Sequence, residues 1–531
     1  MWGETILMRF RVADKIDINE TGKIIYLLND KWDDWFTYET LFQVVYFRDG
    51  TQQRIGGVKI GRRQQQERRP ELPEEFTELE EDFFSLGENE EYYEKLKKYS
   101  FREEYLKAMN DIAFNLELFE EVRGYDVTRV SLLRDITVSM VRGQFNRIAN
   151  GGARLTDYDF TYTLPQKSPI TNENVALSFS VECKKVPPTN IHVLIGKNGV
   201  GKTTILKQML MALEVADHEQ QYGIFETEWT NDFANVVFVS FSAFDMSINE
   251  TDFEEDYPVP YTFVGLVGKK SVKSRIQLAS DFFDSFYKIV KGAKHKLWDE
   301  MIDVLESDNT FQDLKIKRWT LLGNDEVMKK QIRSECPREE NESAIQYRNR
   351  IDRECYRQKI EPQFINLSSG HKVILLTIAK LIDLVEEKTL VLLDEPEEHL
   401  HPPLVSAFIR ALSNLLIYRN GVGIIATHSP VIVQEVPKKC VWILRRSGEY
   451  LINERPQIET FGENLGELTS EIFGYEVENS GFHKMLQQAA KEKSSYSRAL
   501  KYFGNELGKE ARAILKAYMY DKETNEEDED D

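Results

Sequence analysis

Five short apolar runs stand out along the chain: Ile191 to Ile195, Ala234 to Phe241, Lys388 to Asp394, Gly421 to Thr427, and Val441 to Leu444. They are apolar at successive positions rather than alternate ones, which predicts strands buried on both faces. Between them lie helix-like segments: Thr203 to Leu213, Val373 to Ala379, and the amphipathic stretch Leu404 to Leu416. Buried strands alternating with helices predict an α/β fold, a parallel sheet covered on both sides. Val441-Trp-Ile-Leu, then Ser447-Gly448, then Tyr450-Leu-Ile predict a closing hairpin. Residues 1 to about 60 instead alternate apolar and polar positions, with Asp49-Gly50 as a turn, and predict a β-rich opening. Helical spacing follows through about Arg123, and Val175 to Cys183 predicts a strand just before the Ile191 run. Residues 246–362 are polar and mainly helical in pattern, with few core-like runs.

The composition is that of a globular protein: 531 residues, 41% hydrophobic and 30% charged, enough for two or three domains. No run of about 18 apolar residues is present to span a membrane. The opening Met1-Trp-Gly-Glu-Thr-Ile-Leu-Met-Arg lacks the parts of a signal peptide. Four widely spaced cysteines, Cys183, Cys336, Cys355 and Cys440, argue for reduced thiols in a cytoplasmic setting. The formal charge of −21 excludes a protein that coats nucleic acid indiscriminately. Any such contact needs a local basic surface. Two candidates are Lys59 with Arg62, Arg63, Arg68 and Arg69, and Lys269 with Lys270, Lys273 and Arg275. Solvated loops are the simpler reading of both.

Chemistry concentrates after the Ile191 run. Gly196-Lys-Asn-Gly-Val-Gly-Lys-Thr-Thr204 sits between a predicted strand and a predicted helix, the context that makes Gly-x4-Gly-Lys-[Ser/Thr] a phosphate loop. Gly196, Gly199 and Gly201 let the backbone of Lys197 and Asn198 curl so that N–H groups converge on one anion. The following helix, opening with Thr203 and Thr204, adds its dipole. Lys202 offers a cation to the outer phosphates of ATP, and the Thr203 hydroxyl is placed for Mg²⁺. Asp394-Glu395 ends another buried strand, at the sheet edge where ligands of open parallel sheets bind. Asp394 is the second expected Mg²⁺ residue, and Glu395 is expected to polarise the attacking water. Ser368-Ser369-Gly370 opens an apolar helix, as an N-cap or as a second anion-binding helix end.

The order of these pieces resembles that of ABC ATPases: phosphate loop, Ser-Ser-Gly signature 166 residues after Lys202, Asp-Glu 26 residues later, then Thr427-His428. This resemblance implies a dimer in which Ser368, Ser369 and Gly370 of one subunit close over nucleotide held by the other. It makes His428 the switch histidine that contacts the γ-phosphate, catalytic together with Glu395. Some signature positions depart from the family. Ser369 replaces a glycine, His371 replaces a glutamine, and the segment Ser240 to Asp245 lacks a Mg²⁺-ligating glutamine, which implies slow hydrolysis. Pro396-Glu-Glu-His-Leu-His-Pro402 is similar to the branch of overcoming-lysogenisation-defect, SMC and RecF ATPases rather than to transporters. His399 and His401 there suggest a metal pair or, more simply, a dimer-interface loop.

Further words resemble PtuA ATPases of the Septu antiphage system and related retrons: Asn29 to Trp35, Val58 to Gly61, Phe84 to Gly87 with Tyr92-Tyr93, Ser240 to Asp245, and Leu468 to Gly474 with Gly481 to His483. Over residues 20–490 this resemblance implies a cytoplasmic ATPase that self-assembles and regulates a separate HNH nuclease, with a retron reverse transcriptase and its msDNA as a further partner. Nucleic acid would then be met through the complex. The alternative is an SMC- or RecF-like repair ATPase that binds DNA directly. No Asp-x-Asp outside the acidic tail follows Pro430, so a fused nuclease of the Toprim type is not expected. The expected organisation is an ABC-type head, made of a parallel-sheet P-loop core and an antiparallel β subdomain, with helical additions. Its divisions are 1–190, β-rich and helical; 191–245, P-loop core; 246–362, helical insertion or compact arm; 363–455, signature, Asp-Glu and switch histidine; 456–520, helical and partner-binding; and 521–531, a disordered acidic tail.

Overall fold

A computed structural model describes residues 8–528 apart from 18–19, 21, 31–36, 49, 153–154, 166–174, 215–220, 228–232, 243–258, 269–270, 293, 340–341, 448–449 and 479–480. Trp35, Asp49, Ala243 to Asp245, Lys269, Lys270 and Gly448, named above, lie outside the described residues, as do residues 529–531.

Residues 8–150 form a unit with its own sheet. Its strands are β1 (Phe10–Ala13), β2 (Lys23–Asn29), β3 (Leu41–Arg48), β4 (Thr51–Arg62), β5 (Glu75–Phe76) and β6 (Phe83–Gly87), in the order β5-β1-β2-β3-β4-β6. The alternation that predicted these strands puts Phe42, Val44, Val58 and Ile60 into a core shared with short helices that carry Tyr92, Tyr93, Tyr105 and Phe119. A second, three-stranded antiparallel sheet combines β7 (Tyr158–Thr163), β8 (Ala176–Val181) and β10 (Ile224–Thr227). The strand predicted before the Ile191 run therefore exists, but it joins this sheet and not the one that follows it.

The main sheet has seven strands. They are β9 (Ile191–Gly196), β11 (Val236–Ser240), β12 (Tyr261–Gly265), β13 (Leu390–Asp394), β14 (Val422–Thr427), β15 (Val441–Ser447) and β16 (Tyr450–Glu454), ordered β12-β11-β13-β14-β9-β15-β16. All neighbours are parallel except the predicted hairpin β15–β16. Successive side chains go to opposite faces. Val391 and Leu393 meet the helices Ser369–Leu384 and Pro402–Tyr418 on one side. Leu390 and Leu392 meet the helix Lys202–Glu214 and the antiparallel sheet on the other. The fold is thus the α/β head with a parallel core, an antiparallel β subdomain and helical additions.

One expectation gains detail and one needs revision. The insertion lies as a lid on the sheet: Phe282, Phe286, Trp298, Met301 and Trp319 enter the largest core, and β12 extends the sheet edge. Its apolar residues are spaced three or four apart among charges, so no continuous run advertises them. The helix Lys509–Asp528 also runs through most of the acidic tail expected to be disordered. Its Lys and Glu are good helix formers, and a helix already nucleated upstream extends cheaply.

Candidate nucleotide site

The C-terminal ends of β9, β13 and β14 place Gly196, Asp394 and Thr427 side by side, because Asp394 is in register with Ala426 and Thr427 with Ile195. The loop after β9 turns through Gly199 (φ 80°) and Gly201 (φ 108°), left-handed conformations that glycine adopts without strain. Lys202 opens the next helix and is buried. Its Nζ donates to the carbonyls of Gly196 at 2.9 Å and Lys197 at 3.0 Å. Burial holds its pKa below the ordinary lysine value, against the opposing pull of Glu395, Asp394 and Glu397. The Thr203 hydroxyl donates to Asp394 Oδ1 at 3.0 Å. A hydroxyl beside a carboxylate is an all-oxygen donor pair of the kind Mg²⁺ takes when phosphates and water complete its shell. Among the described residues no cluster of three or more His, Cys, Asp or Glu could hold a metal without such help.

Glu395 follows with φ 45°, an uncommon backbone for a residue with a side chain, and donates its N–H to Ala426 O at 2.9 Å. Strain of this kind collects at functional sites. His428, half-exposed just past β14, sets its Nδ1 3.4 Å from Glu395 Oε1 and 3.5 Å from Glu397 Oε1. Glu397 Oε1 also accepts from the Thr427 hydroxyl and from the His428 N–H at 3.2 Å. The Glu397 side chain is only 9% exposed, its Oε2 has no hydrogen-bond partner among the described residues, and burial pushes its pKa up. Sequence reasoning passed over Glu397. The buried strand marks Asp394 and Glu395, but only the register of β13 on β14 brings Glu397 to a residue 30 positions away.

The signature residues lie elsewhere. Ser368 caps the helix Ser369–Leu384, accepting from His371 N at 3.3 Å, and its Oγ is 2.9 Å from His371 Nδ1. Ser368 and Ser369 are exposed and Gly370 is buried. A Cβ on Gly370 would come within 2.6 Å of the His399 carbonyl oxygen, so this turn of helix lies directly against the loop after Glu395. Asp308, from the insertion, ties the two together. Its Oδ2 accepts from His401 Nε2 at 2.9 Å, and its Oδ1 accepts the Thr310 hydroxyl at 2.5 Å. Thr310 Oγ1 in turn lies 3.4 Å from His371 Nε2. His401 thus has a carboxylate partner from the insertion. Asp308 and Thr310, in a polar segment, carried no signal in the sequence. Among the described residues no hydrogen bond or ion pair joins Ser368, Ser369 or Gly370 to the phosphate loop.

The first basic candidate is not a free cationic surface. Lys59 is buried and donates to the carbonyls of Ser131, Leu132 and Arg134. Arg62 pairs with Asp82, Arg63 with Glu121, and Arg68 and Arg69 with Glu39. In the second, Lys273 pairs with Asp281.

Comparison with known proteins decides the family. The chain is 38% identical to protein ea59 of Escherichia phage lambda over 518 residues, which span 94% of this chain and 95% of that protein. The chain belongs to the ea59 family. A domain family described as "AAA domain, putative AbiEii toxin, Type IV TA system" matches residues 361–434, from the end of the insertion through the signature helix, Asp394-Glu395 and His428. A nucleotide-free ATP-binding cassette of an ABC transporter is similar at 13% identity, covering 59% of this chain and 95% of that one with a TM-score of 0.28. The fold assignment is carried by the strand order above. The head has a P-loop-type α/β fold, with the phosphate-loop motif at the end of a parallel strand, and among the described residues no helix is long and apolar enough to cross a membrane.

Proposed function

We propose that this protein is an ATP-driven switch: it binds Mg-ATP at the phosphate loop and closes as a dimer in which Ser368, Ser369 and Gly370 of a second copy complete the site. The observation that carries this reading is the sheet edge itself. Thr203 touches Asp394 there, while Glu395 and Glu397 share one nitrogen of His428. Ser368 and Ser369 are exposed residues at a separate helix N-terminus.

Lys202, with its desolvated ammonium, neutralises the outer phosphates. Thr203 and Asp394 would hold Mg²⁺, which when bound offsets charge on the phosphates. Glu395 orients the attacking water, and His428 bonds the γ-phosphate. Glu397 fixes the His428 ring and the backbone beside it. Hydrolysis is slow, because the segment after Ser240 supplies no glutamine for the metal. Nucleotide occupancy then acts as a latch.

The test uses Glu395→Gln and Lys202→Ala. The glutamine variant is expected to co-purify with ATP as a dimer, whereas the alanine variant carries none. A glutamine variant that neither retains ATP nor dimerises would overturn the assignment. Mixing Lys202→Ala with Ser368→Arg should restore one intact composite site, a result that a site within one chain cannot give.

The resemblance to PtuA extends the proposal to partners: an HNH nuclease subunit held in check by the nucleotide state, in antiphage defence, with a retron reverse transcriptase and msDNA in the retron form. Co-purification of an HNH protein encoded next to this one supports that extension; failure to find one at any nucleotide state removes it and leaves the switch intact.

A further inference from the structure

The acidic balance of the chain hides one strongly basic piece. Residues 481–516 carry eight Lys and Arg against three Glu, a net of +5 in a chain of −21. They lie in three helices, Gly481–Glu492, Tyr496–Tyr502 and the first part of Lys509–Asp528. These helices enclose a small core of their own, made by Leu486, Ala490, Ala499, Leu515 and Met519. The core fixes which faces look outward. On the second helix Arg498, Lys501 and Tyr502 are exposed at spacings i, i+3 and i+4. On the third, Lys509, Arg512, Lys516 and Tyr520 are exposed at i, i+3, i+7 and i+11, one stripe along the helix.

Among the described residues no ion pair cancels Arg498, Lys501, Lys509, Arg512 or Lys516, in contrast to Arg62 to Arg69. Arg498 donates to the Ser494 hydroxyl at 2.6 Å and Arg512 to the Asn505 carbonyl at 2.9 Å, both neutral acceptors. The two tyrosines are 61% and 65% exposed, and the Lys493 ammonium sits 4.5 Å over the Tyr502 ring. A surface that combines cations lacking an acidic partner among the described residues with exposed aromatic rings has the two elements that single strands need: charge along the backbone and platforms for bases. An acidic protein would use the cations but leave the rings unexplained. From Lys509 to Tyr520 the stripe runs about 16 Å along the helix, the length of about five nucleotides of one strand.

We infer that this C-terminal three-helix module binds single-stranded nucleic acid. The surface is far in sequence from the phosphate loop, and the inference does not depend on the ATPase reading.

The experiment measures fluorescence anisotropy of a labelled oligothymidine of about 16 nucleotides with the full-length protein. With about five phosphates neutralised, affinity should fall roughly a hundredfold between about 50 and 200 mM salt. Charge reversal at Arg498, Lys501, Arg512 and Lys516 should abolish binding, while reversal at Arg62 and Arg63 leaves it unchanged. Tyr502→Ala with Tyr520→Ala should weaken binding at least tenfold and keep the salt slope, as expected of lost stacking. An unchanged circular dichroism spectrum and thermal unfolding transition serve as the check that each variant is folded. The inference is overturned if the wild type shows no salt-dependent binding, if the C-terminal reversal binds as tightly as wild type, or if polyglutamate of equal charge competes as well as the oligonucleotide. The last result would mark the surface as a dock for acidic protein.

Discussion

Replacing Glu397 by glutamine asks whether this carboxylate is held against its own solvation. The side chain keeps its shape, and its amide oxygen can still accept from Thr427 and His428. What disappears is a charge in a place that is 9% exposed. Two terms compete. Hydrogen bonds to a neutral acceptor are weaker than to a charged one, a loss of about 1 kcal/mol across the pair. Against that, burial raises the Glu397 pKa in the folded state. Between the unfolded and the folded pKa the native protein holds the extra proton, so this group's contribution is favourable at low pH and is lost as pH rises through the folded pKa. A tenfold tighter hold on the proton in the folded state removes about 1.4 kcal/mol from the ionised wild type, or about 3 °C in unfolding temperature. Glutamine escapes that loss. The difference in unfolding temperature, variant minus wild type, should therefore increase from about pH 4 to about pH 8. Thermal unfolding followed by circular dichroism at both pH values measures it. If the difference instead falls with pH, Glu397 is stabilised as the anion and the reasoning about its burial is wrong. The same variant should hydrolyse ATP more slowly, since His428 loses one of its two carboxylate neighbours.

Other outcomes follow from single contacts. Gly370→Ala gains helix propensity of up to about 1 kcal/mol but meets the His399 carbonyl at 2.6 Å; nucleotide-dependent dimerisation, read by light scattering, should weaken even where unfolding temperature barely changes. Asp308→Ala removes the acceptor for Thr310 and His401 and an N-cap, costing about 2 kcal/mol in thermal unfolding, with Asp308→Asn recovering roughly half. Arg147→Ala strands the buried Glu387 to which it is paired and should cost about 2–3 kcal/mol. Burial raises the Glu387 pKa, so that cost should shrink in urea titrations as pH is lowered and the carboxyl takes up its proton. Truncation after Tyr520 removes eight acidic residues and one lysine and should tighten oligothymidine binding severalfold at low salt.

The parts of the site that were legible are those whose chemistry is written in consecutive residues. Gly196 to Thr204, Asp394-Glu395 and Thr427-His428 each sit at the end of a continuous apolar run, so strand, loop and function are read together. Glu397 and Asp308 were not legible because their partners arrive through register and packing, 30 and 93 positions away. The neutral character of the segment from Arg62 to Arg69 was hidden for the same reason: the carboxylates that neutralise its arginines come from other segments, Glu39, Asp82 and Glu121. The basic helices after Gly481 escaped notice because the acidic tail beside them averages their charge away.

The strand β12 gives the insertion a role that a hanging arm could not have. The polypeptide leaves the sheet after β11, returns to it as β12, crosses the sheet face in helices, and finally delivers Ser368 at the start of the next core helix. It is a beam clamped at both ends, with Asp308 as a bolt near the middle of its path. A push on its outer surface cannot be absorbed by swinging. It must be felt as torque on the helix that presents Ser368 and on the loop that holds His401.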